Sequence, residues 1–450
     1  MVLEGRRPFS STSLVRLAKV VKAVLLAAAA AATAQAATPR YEVVDLQGVP
    51  QRLNESGQIA GWIYVGADAH AAIYTGGAWR DLGVPAADQL SAAFGINNAG
   101  AVVGFSFVAL PGPDNRWQAI WVPAGALAAQ PLAPLAPDSF NYGINDHDVI
   151  VGCRNRYDDT YPDPHRAYVH ANGVVTDLHA LLVAAGDPYS FTCARDVNLA
   201  GDVVGEVQAQ YSPQRGFIYR GGSVSLLVQG ANYLSSARAI NDAGKVVGEG
   251  RLVGFSADHA VTYDATTGTI ASLGVEATGA YTSRPNDINA RGEVVGMMFL
   301  GVGERAFLAS GTRVVDLNEL IPTTSGWVLS EAQSINAAGL IVGRGYRTAT
   351  PTLTSYFLLK PVAPAPAGLI EAIEALAASG VLGHGSATAL VAKLRAAAAQ
   401  IDKGNVRPAI NQLDAFVNEV QALMASGRLT AAHGQPLIDE ARRIIASLTG

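Results

Sequence analysis

The chain has 450 residues, a formal net charge of −5, and only 15% charged side chains. That balance excludes electrostatic capture of nucleic acid, which needs a clustered basic face, and the length admits two or three domains. The 47 glycines fall mostly in the middle, where turns are dense, while alanine collects at both ends, so a β-rich centre and a helical C-terminus are expected.

At the start of the chain Arg6, Arg7, Arg16, Lys19 and Lys22 precede the apolar run Ala23 to Ala32, and Ala34-Gln35-Ala36 follows. A basic region, a short apolar core and an A-x-A exit read as a secretory signal peptide over residues 1–36. The competing reading, a membrane-spanning helix, needs about 20 apolar residues, more than this run supplies. No later segment is apolar enough to span a bilayer. The mature chain is therefore expected to begin near Ala37 and to be exported, to the periplasm or the medium.

Seven short segments share one pattern: apolar, Asn, two variable residues, usually Gly, one variable residue, two apolar residues, Gly. They are LNESGQIAG from Leu53, INNAGAVVG from Ile96, INDHDVIVG from Ile144, VNLAGDVVG from Val197, INDAGKVVG from Ile240, INARGEVVG from Ile288 and INAAGLIVG from Ile335. Successive Asn residues lie 43, 48, 53, 43, 48 and 47 positions apart. Asn first and Gly fourth suit a type I turn followed by a left-handed residue, so each segment is read as a tight β-hairpin. In the third copy Asp148 takes the glycine position, which aspartate tolerates. Calcium loops are the competing reading of Asn-x-x-Gly, but turn chemistry accounts for both residues, and no metal or cofactor is expected.

A second hairpin follows each first one. Its opening strand carries a basic or polar residue, a small residue, then apolar ones, as in His70-Ala71-Ala72-Ile73, Arg166-Ala167-Tyr168, His259-Ala260-Val261 and Arg305-Ala306-Phe307. Its closing strand often ends Asp-Leu, as at Asp81-Leu82, Asp177-Leu178 and Asp316-Leu317. Two hairpins give four strands per repeat, the size of a propeller blade. The seventh repeat lacks its Asp-Leu strand, and Tyr41-Glu42-Val43-Val44-Asp45-Leu46 supplies one ahead of the first repeat. The expected fold is thus an all-β seven-bladed β-propeller over residues 41–360, closed by the N-terminal strand in the last blade. A β-solenoid, the rival architecture, does not predict a displaced strand.

The Asn-x-x-Gly-x-Val-Val-Gly hairpin followed by the His/Arg-Ala-Phe-type strand resembles the HAF-type extracellular repeat of bacterial proteins over residues 41–360. The resemblance implies a secreted β-repeat protein and brings no catalytic residues with it. Cys153 and Cys193 are the two cysteines. An exported compartment permits a disulfide between them, worth roughly 3–4 kcal/mol in the chain-entropy picture; two buried thiols are the alternative.

Residues 361–368 form a Pro/Ala linker. Beyond it, over residues 369–450, the apolar period changes to about 3.6, with stripes ended by Gly380, Gly404 and Gly427, as in a small all-α helical bundle. The segment KLRAAAAQIDKGNVRPAINQLDAFVNEV from Lys393 resembles the FIMAH-type module, which implies an accessory or attachment role. His384 and His433 fall in turn-like stretches and are not read as metal ligands.

No nucleophile elbow, zinc motif, paired-cysteine motif or phosphate loop occurs in the chain. The strand before each Asn is expected to be innermost, and its two residues ahead of the motif vary: Gln51-Arg52, Phe94-Gly95, Tyr142-Gly143, Arg195-Asp196, Arg238-Ala239, Asn286-Asp287 and Gln333-Ser334. A purely structural position would repeat, so Arg52, Tyr142, Arg195, Asp196, Arg238, Asn286 and Asp287 are the candidates to line a channel mouth. Insertions at 109–115 and 154–164, with Trp117 and Trp121 nearby, add stacking aromatics. The function expected is non-catalytic binding of an extracellular glycan or protein. Two alternatives stand beside it: a polysaccharide-acting hydrolase or lyase, which would need two carboxylates about 5–10 Å apart at the mouth, and a purely structural envelope component.

Overall fold

The computed structural model describes residues 41–85, 88–108, 116–135, 138–155, 165–184, 189–209, 213–311, 313–362 and 365–449. The signal segment, most of both insertions and the centre of the Pro/Ala linker lie outside these residues. Two compact units are present: one holds residues 43–318 and 325–361, and the other holds the C-terminal helices.

The first unit is a seven-bladed β-propeller. Six antiparallel sheets follow one another along the chain, within residues 49–81, 90–131, 139–177, 189–226, 228–272 and 282–316. Blade 5 gains a two-residue fifth strand, Val228–Gln229. The seventh sheet joins Trp327–Ile335, Ile341–Arg347 and Thr350–Pro361 to Tyr41–Leu46, which is its outermost strand. The N-terminal strand thus completes the last blade and leaves no open seam. Arg347 donates to Asp45 at 2.7 Å across this closure.

Each repeat motif is the hairpin that joins a blade's first and second strands. In blade 1 the Asn54 N–H donates to the Gln58 carbonyl (3.0 Å) and the Gly57 N–H to the Asn54 carbonyl (3.1 Å). The fourth position is left-handed in all seven turns: Gly57 has φ 78°, and Asp148 keeps φ 55° without a glycine. The Asp-Leu leucines pin the outer strands, since Leu46, Leu82, Leu178 and Leu317 are all buried. The small residue of the third strand lets the next blade approach: the Ala71, Ala167 and Ala260 amides donate to the hydroxyls of Ser91, Thr192 and Ser283. Between blades the core is apolar, as where Val247, Ala260 and Leu273 meet Ile288, Val294 and Phe307. Cys153 of blade 3 and Cys193 of blade 4 are joined by a disulfide, with their Cα atoms 4.9 Å apart.

All seven inner strands carry a β-bulge at one register, so one residue in each has no partner on the second strand. Opposite the bulge stands the last glycine of every motif. A Cβ on Gly61, Gly104, Gly152, Gly205, Gly248, Gly296 or Gly343 would meet an inner-strand carbonyl oxygen at 1.8–2.1 Å. That glycine therefore exists for close approach of two backbones. Gly205→Ala, which puts a methyl 2.0 Å from the Cys193 carbonyl, is expected to destabilise by roughly 1–3 kcal/mol or more, read as a lower midpoint in urea denaturation.

In the second unit the described C-terminal residues form four helices: α2 (Pro366–Ala378), α3 (His384–Ile401), α4 (Val406–Ala425) and α5 (Ala431–Thr449). The propeller carries one short helix among its described residues, α1 (Leu178–Ala184). Leu369, Ile373, Leu390, Leu394, Phe416 and Ile438 meet in one apolar core. Gly380, Gly404 and Gly427 are left-handed just beyond the first three helices, as C-terminal glycine caps are. His384 and His433 sit in the first turns of α3 and α5, not in loops, because helix formation extends upstream of the apolar stripes. Among the described residues no helix is long and apolar enough to cross a membrane.

Candidate functional site

The motif asparagines form a closed ring about the propeller axis. Each side-chain amide donates to the backbone carbonyl of the next asparagine: Asn54 to Asn97, Asn97 to Asn145, and onward through Asn198, Asn241 and Asn289 to Asn336, which returns to Asn54. These bonds span 2.8–3.3 Å. Each Oδ1 accepts from its own turn four residues on, as from Gln58 N–H to Asn54 and from Leu340 N–H to Asn336. All seven asparagines are buried. The turn role was legible in the sequence; the link between blades was not.

Inside this ring lies a cavity of about 160 Å³, lined in part by Arg52, Asp196 and Asp287. Arg52 reaches across the axis from blade 1 to Asp196 of blade 4 (2.8 Å) and Asp287 of blade 6 (3.4 Å). Asp196 also accepts the Ile240 N–H, and Asp287 accepts the Ser334 hydroxyl and the Ile335 N–H. Burial pushes the Asp196 carboxyl above the ordinary aspartate range, with Arg52 drawing it partway back. Burial works against the Arg52 guanidinium too, but the two carboxylates more than offset it and raise its pKa. Three of the candidate residues therefore meet in one ion cluster at the turn end.

The other four candidates occupy the bulges. Tyr142, Arg195, Arg238 and Asn286 are the unpaired residues of their strands, equivalent to Gln51, Phe94 and Gln333. All are half-buried, and the bulge re-aims each side chain. Arg195 lies over the Tyr142 ring at 4.6 Å, and Phe94 meets the other side of that tyrosine edge-on at 5.8 Å. These contacts run from blade to blade, so the bulge residues line one lumen wall, farther from the turns than Arg52.

This wall has two unlike halves. On blades 1–3, Trp62, Phe94, Phe105, Trp117 and Phe140 pack ring to ring, with centroids 5.0–5.8 Å apart. On blades 4–7 arginines alternate with carboxylates. Arg195 pairs with Glu206, Arg238 with Glu249 (3.4 Å), and Arg284 and Arg344 both with Glu331 (2.6 and 2.7 Å). Asn286 adds a bond to Glu331 at 2.9 Å. Burial would raise the Glu331 carboxyl, but Arg284, Asn286 and Arg344 together hold it below its ordinary range. Trp62, Phe105, Glu206, Glu249 and Arg344 were not among the residues singled out in the sequence. Each follows the last glycine of its motif, a position as variable as the bulge, and that variability was the available signal.

The insertion aromatics separate. Trp117 joins the aromatic half, whereas Trp121 packs in the core between blades 2 and 3. Of the basic residues that open the third strands, His70 and Arg305 face the Asp of their own outer strand: His70 Nδ1 lies 2.9 Å from Asp81, and Arg305 lies 3.8 Å from Asp316. Among the described residues, no three His, Cys, Asp or Glu side chains are grouped to hold a metal ion.

No curated protein matches this chain. Among solved structures the chain is similar to the β-propeller domain of the Trilobed protease from Pyrococcus furiosus, at 11% identity and a TM-score of 0.47, covering 71% of this chain and 94% of that one. It is also similar to the uncomplexed acylaminoacyl peptidase of Pyrococcus horikoshii, at 10% identity and a TM-score of 0.44 over 70% of this chain, and spans about half (51%) of the peptidase. AofleA from Arthrobotrys oligospora matches at 12% identity and a TM-score of 0.35, over 62% of this chain and 90% of that one. The FIMAH domain family matches residues 366–446, the four-helix unit.

Proposed function

We propose that this chain is an exported, non-catalytic binding protein that presents the bulge layer of its lumen to a glycan or protein, with the helical unit as an accessory. The observation that carries this reading is the division of that layer. A repeated scaffold holds half-exposed residues that differ from blade to blade, aromatic on one side and charged on the other, and such variation on rigid elements is where recognition resides. The signal-like N-terminus and the resemblance to HAF-type repeats support export.

A hydrolase or lyase would need a carboxylate free to move a proton. Asp196 and Asp287 are both held by Arg52, and Glu206, Glu249 and Glu331 each pair with arginine. That pairing favours binding over catalysis. Residues 37–450, screened on a glycan array and against soluble polysaccharides, are expected to retain a ligand without releasing product. Phe94→Ala is expected to abolish retention; it also removes ring contacts to Trp62, Phe105 and Tyr142 and lowers the melting temperature, so retention is read where circular dichroism shows the variant folded. Product release that disappears in Asp196→Asn or Asp287→Asn would overturn the reading in favour of an enzyme.

A further inference from the structure

Arg238 is the least satisfied cation of the lumen wall. Among the described residues its only ion pair is the 3.4 Å contact to Glu249, a carboxylate that it shares with Arg284 at 3.9 Å. The Nε atoms of both arginines are buried and make no hydrogen bond. Burial above all, with Arg284 and Arg195 close by, pulls the Arg238 guanidinium below its ordinary value, although Glu249 and Glu206 draw it partway back. About a third of the Arg238 side chain stays exposed (34%), so an incoming anion meets the guanidinium at that open end and supplies charge that the long contact to Glu249 leaves short.

Around the same layer stand the groups that recognise a sugar ring. Phe94 and Trp62 offer apolar ring surface for C–H faces. Gln333 is a planar amide, and a planar side chain with two adjacent polar atoms suits vicinal hydroxyls; Asn286 beside it has both N–H donors committed to Glu331 and the Ala332 carbonyl and offers only its oxygen. Arg238 offers the planar fork that matches a carboxylate in bidentate fashion. The cluster of Arg52 with Asp196 and Asp287 crosses the lumen behind this layer, which favours a chain end over a threaded polymer.

Resting on the binding reading above, we propose that the bulge layer takes the end of an acidic oligosaccharide, with a uronate carboxylate on Arg238 and a sugar face on Phe94. An anionic peptide is the less favoured occupant, because the amides and guanidinium groups around the wall match repeated hydroxyls better than a single terminal carboxylate.

Titration calorimetry of residues 37–450 with tetragalacturonate, tetraglucuronate and tetramannuronate tests this, with the carboxyl-reduced form of each as the neutral counterpart. At least one tetrauronate is expected to bind and its reduced form to bind roughly 10–100-fold more weakly, the loss of a charged hydrogen-bonded contact. Arg238→Gln is expected to remove that preference and leave weak binding of both forms, whereas Phe94→Leu weakens both alike. Circular dichroism melts confirm that each variant is folded. Equal binding of acidic and reduced forms overturns the acidic class and leaves the binding reading standing. Binding of an acidic peptide library in place of any saccharide overturns the carbohydrate assignment. Cleavage of a tetrauronate in the cell of the calorimeter overturns the non-catalytic reading itself.

Discussion

Replacing Arg52 with alanine is expected to destabilise the propeller by roughly 3–5 kcal/mol, because the substitution strands buried charge. Two carboxylates, Asp196 and Asp287, face the same guanidinium and repel one another. In the intact protein burial already raises the Asp196 carboxyl, and Arg52 supplies the largest counterweight. Without Arg52 that carboxyl rises further in the folded state, while the unfolded chain keeps the ordinary aspartate value near 3.9. The folded variant then holds a proton that the unfolded chain does not, so its stability falls as pH rises through the raised folded value. Urea denaturation of Arg52→Ala beside the parent chain is expected to show a difference that is largest at pH 7 and shrinks toward pH 5. A difference independent of pH would mean that Arg52 contributes by packing alone.

The second large effect is expected at the asparagine ring. Asn336→Ala removes the amide that donates to the Asn54 carbonyl at 3.0 Å and the oxygen that accepts the Leu340 N–H at 3.0 Å. The part-buried Leu340 N–H loses its acceptor, while the Asn54 carbonyl keeps the Gly57 N–H, so with one group left unsatisfied a loss of roughly 1–3 kcal/mol is expected. The bond broken is the asparagine-ring bond between the last blade and the first, which Ser334 and Glu55 also link. Asn336→Asp sharpens the test. It keeps the acceptor but sets a carboxylate against a carbonyl at neutral pH, and only its protonated form donates. This variant is expected to approach the parent's denaturation midpoint as pH falls, whereas Asn336→Ala is not. If both variants matched the parent, the ring would be a geometric coincidence of seven turns.

Both predictions concern residues whose types were conspicuous in the sequence and whose partners were not. Asn336 and Asn54 lie at opposite ends of the repeat array, and only closure of the ring brings the amide of one to the carbonyl of the other. Arg52, Asp196 and Asp287 were grouped as variable positions near one mouth, yet nothing in their spacing says that a single guanidinium reaches across the axis to both acids. Tyr142, Arg195, Arg238 and Asn286 were recognised as variable without the reason for their accessibility. A strand read with a period of two places alternate residues on alternate faces, and a bulge breaks that count by one residue.

The sequence by itself determined the repeat, its number of copies, the turn chemistry of each hairpin and the closing role of Tyr41–Leu46, because these depend on local backbone preference and on counting strands. It also determined the helical unit, through a change in apolar period and three glycine stops. Tertiary structure alone decided the rest. The terminal glycine of each motif is set by a carbonyl on the neighbouring strand, the asparagine amide by a carbonyl on the neighbouring blade, and the Arg52 cluster by residues three and two blades away around the ring. The aromatic and arginine halves of the lumen wall likewise exist only once seven strands stand side by side. Local propensity is carried by adjacent residues, whereas pairing of buried charge and donors is settled by which surfaces the closed ring brings within about 3 Å of one another.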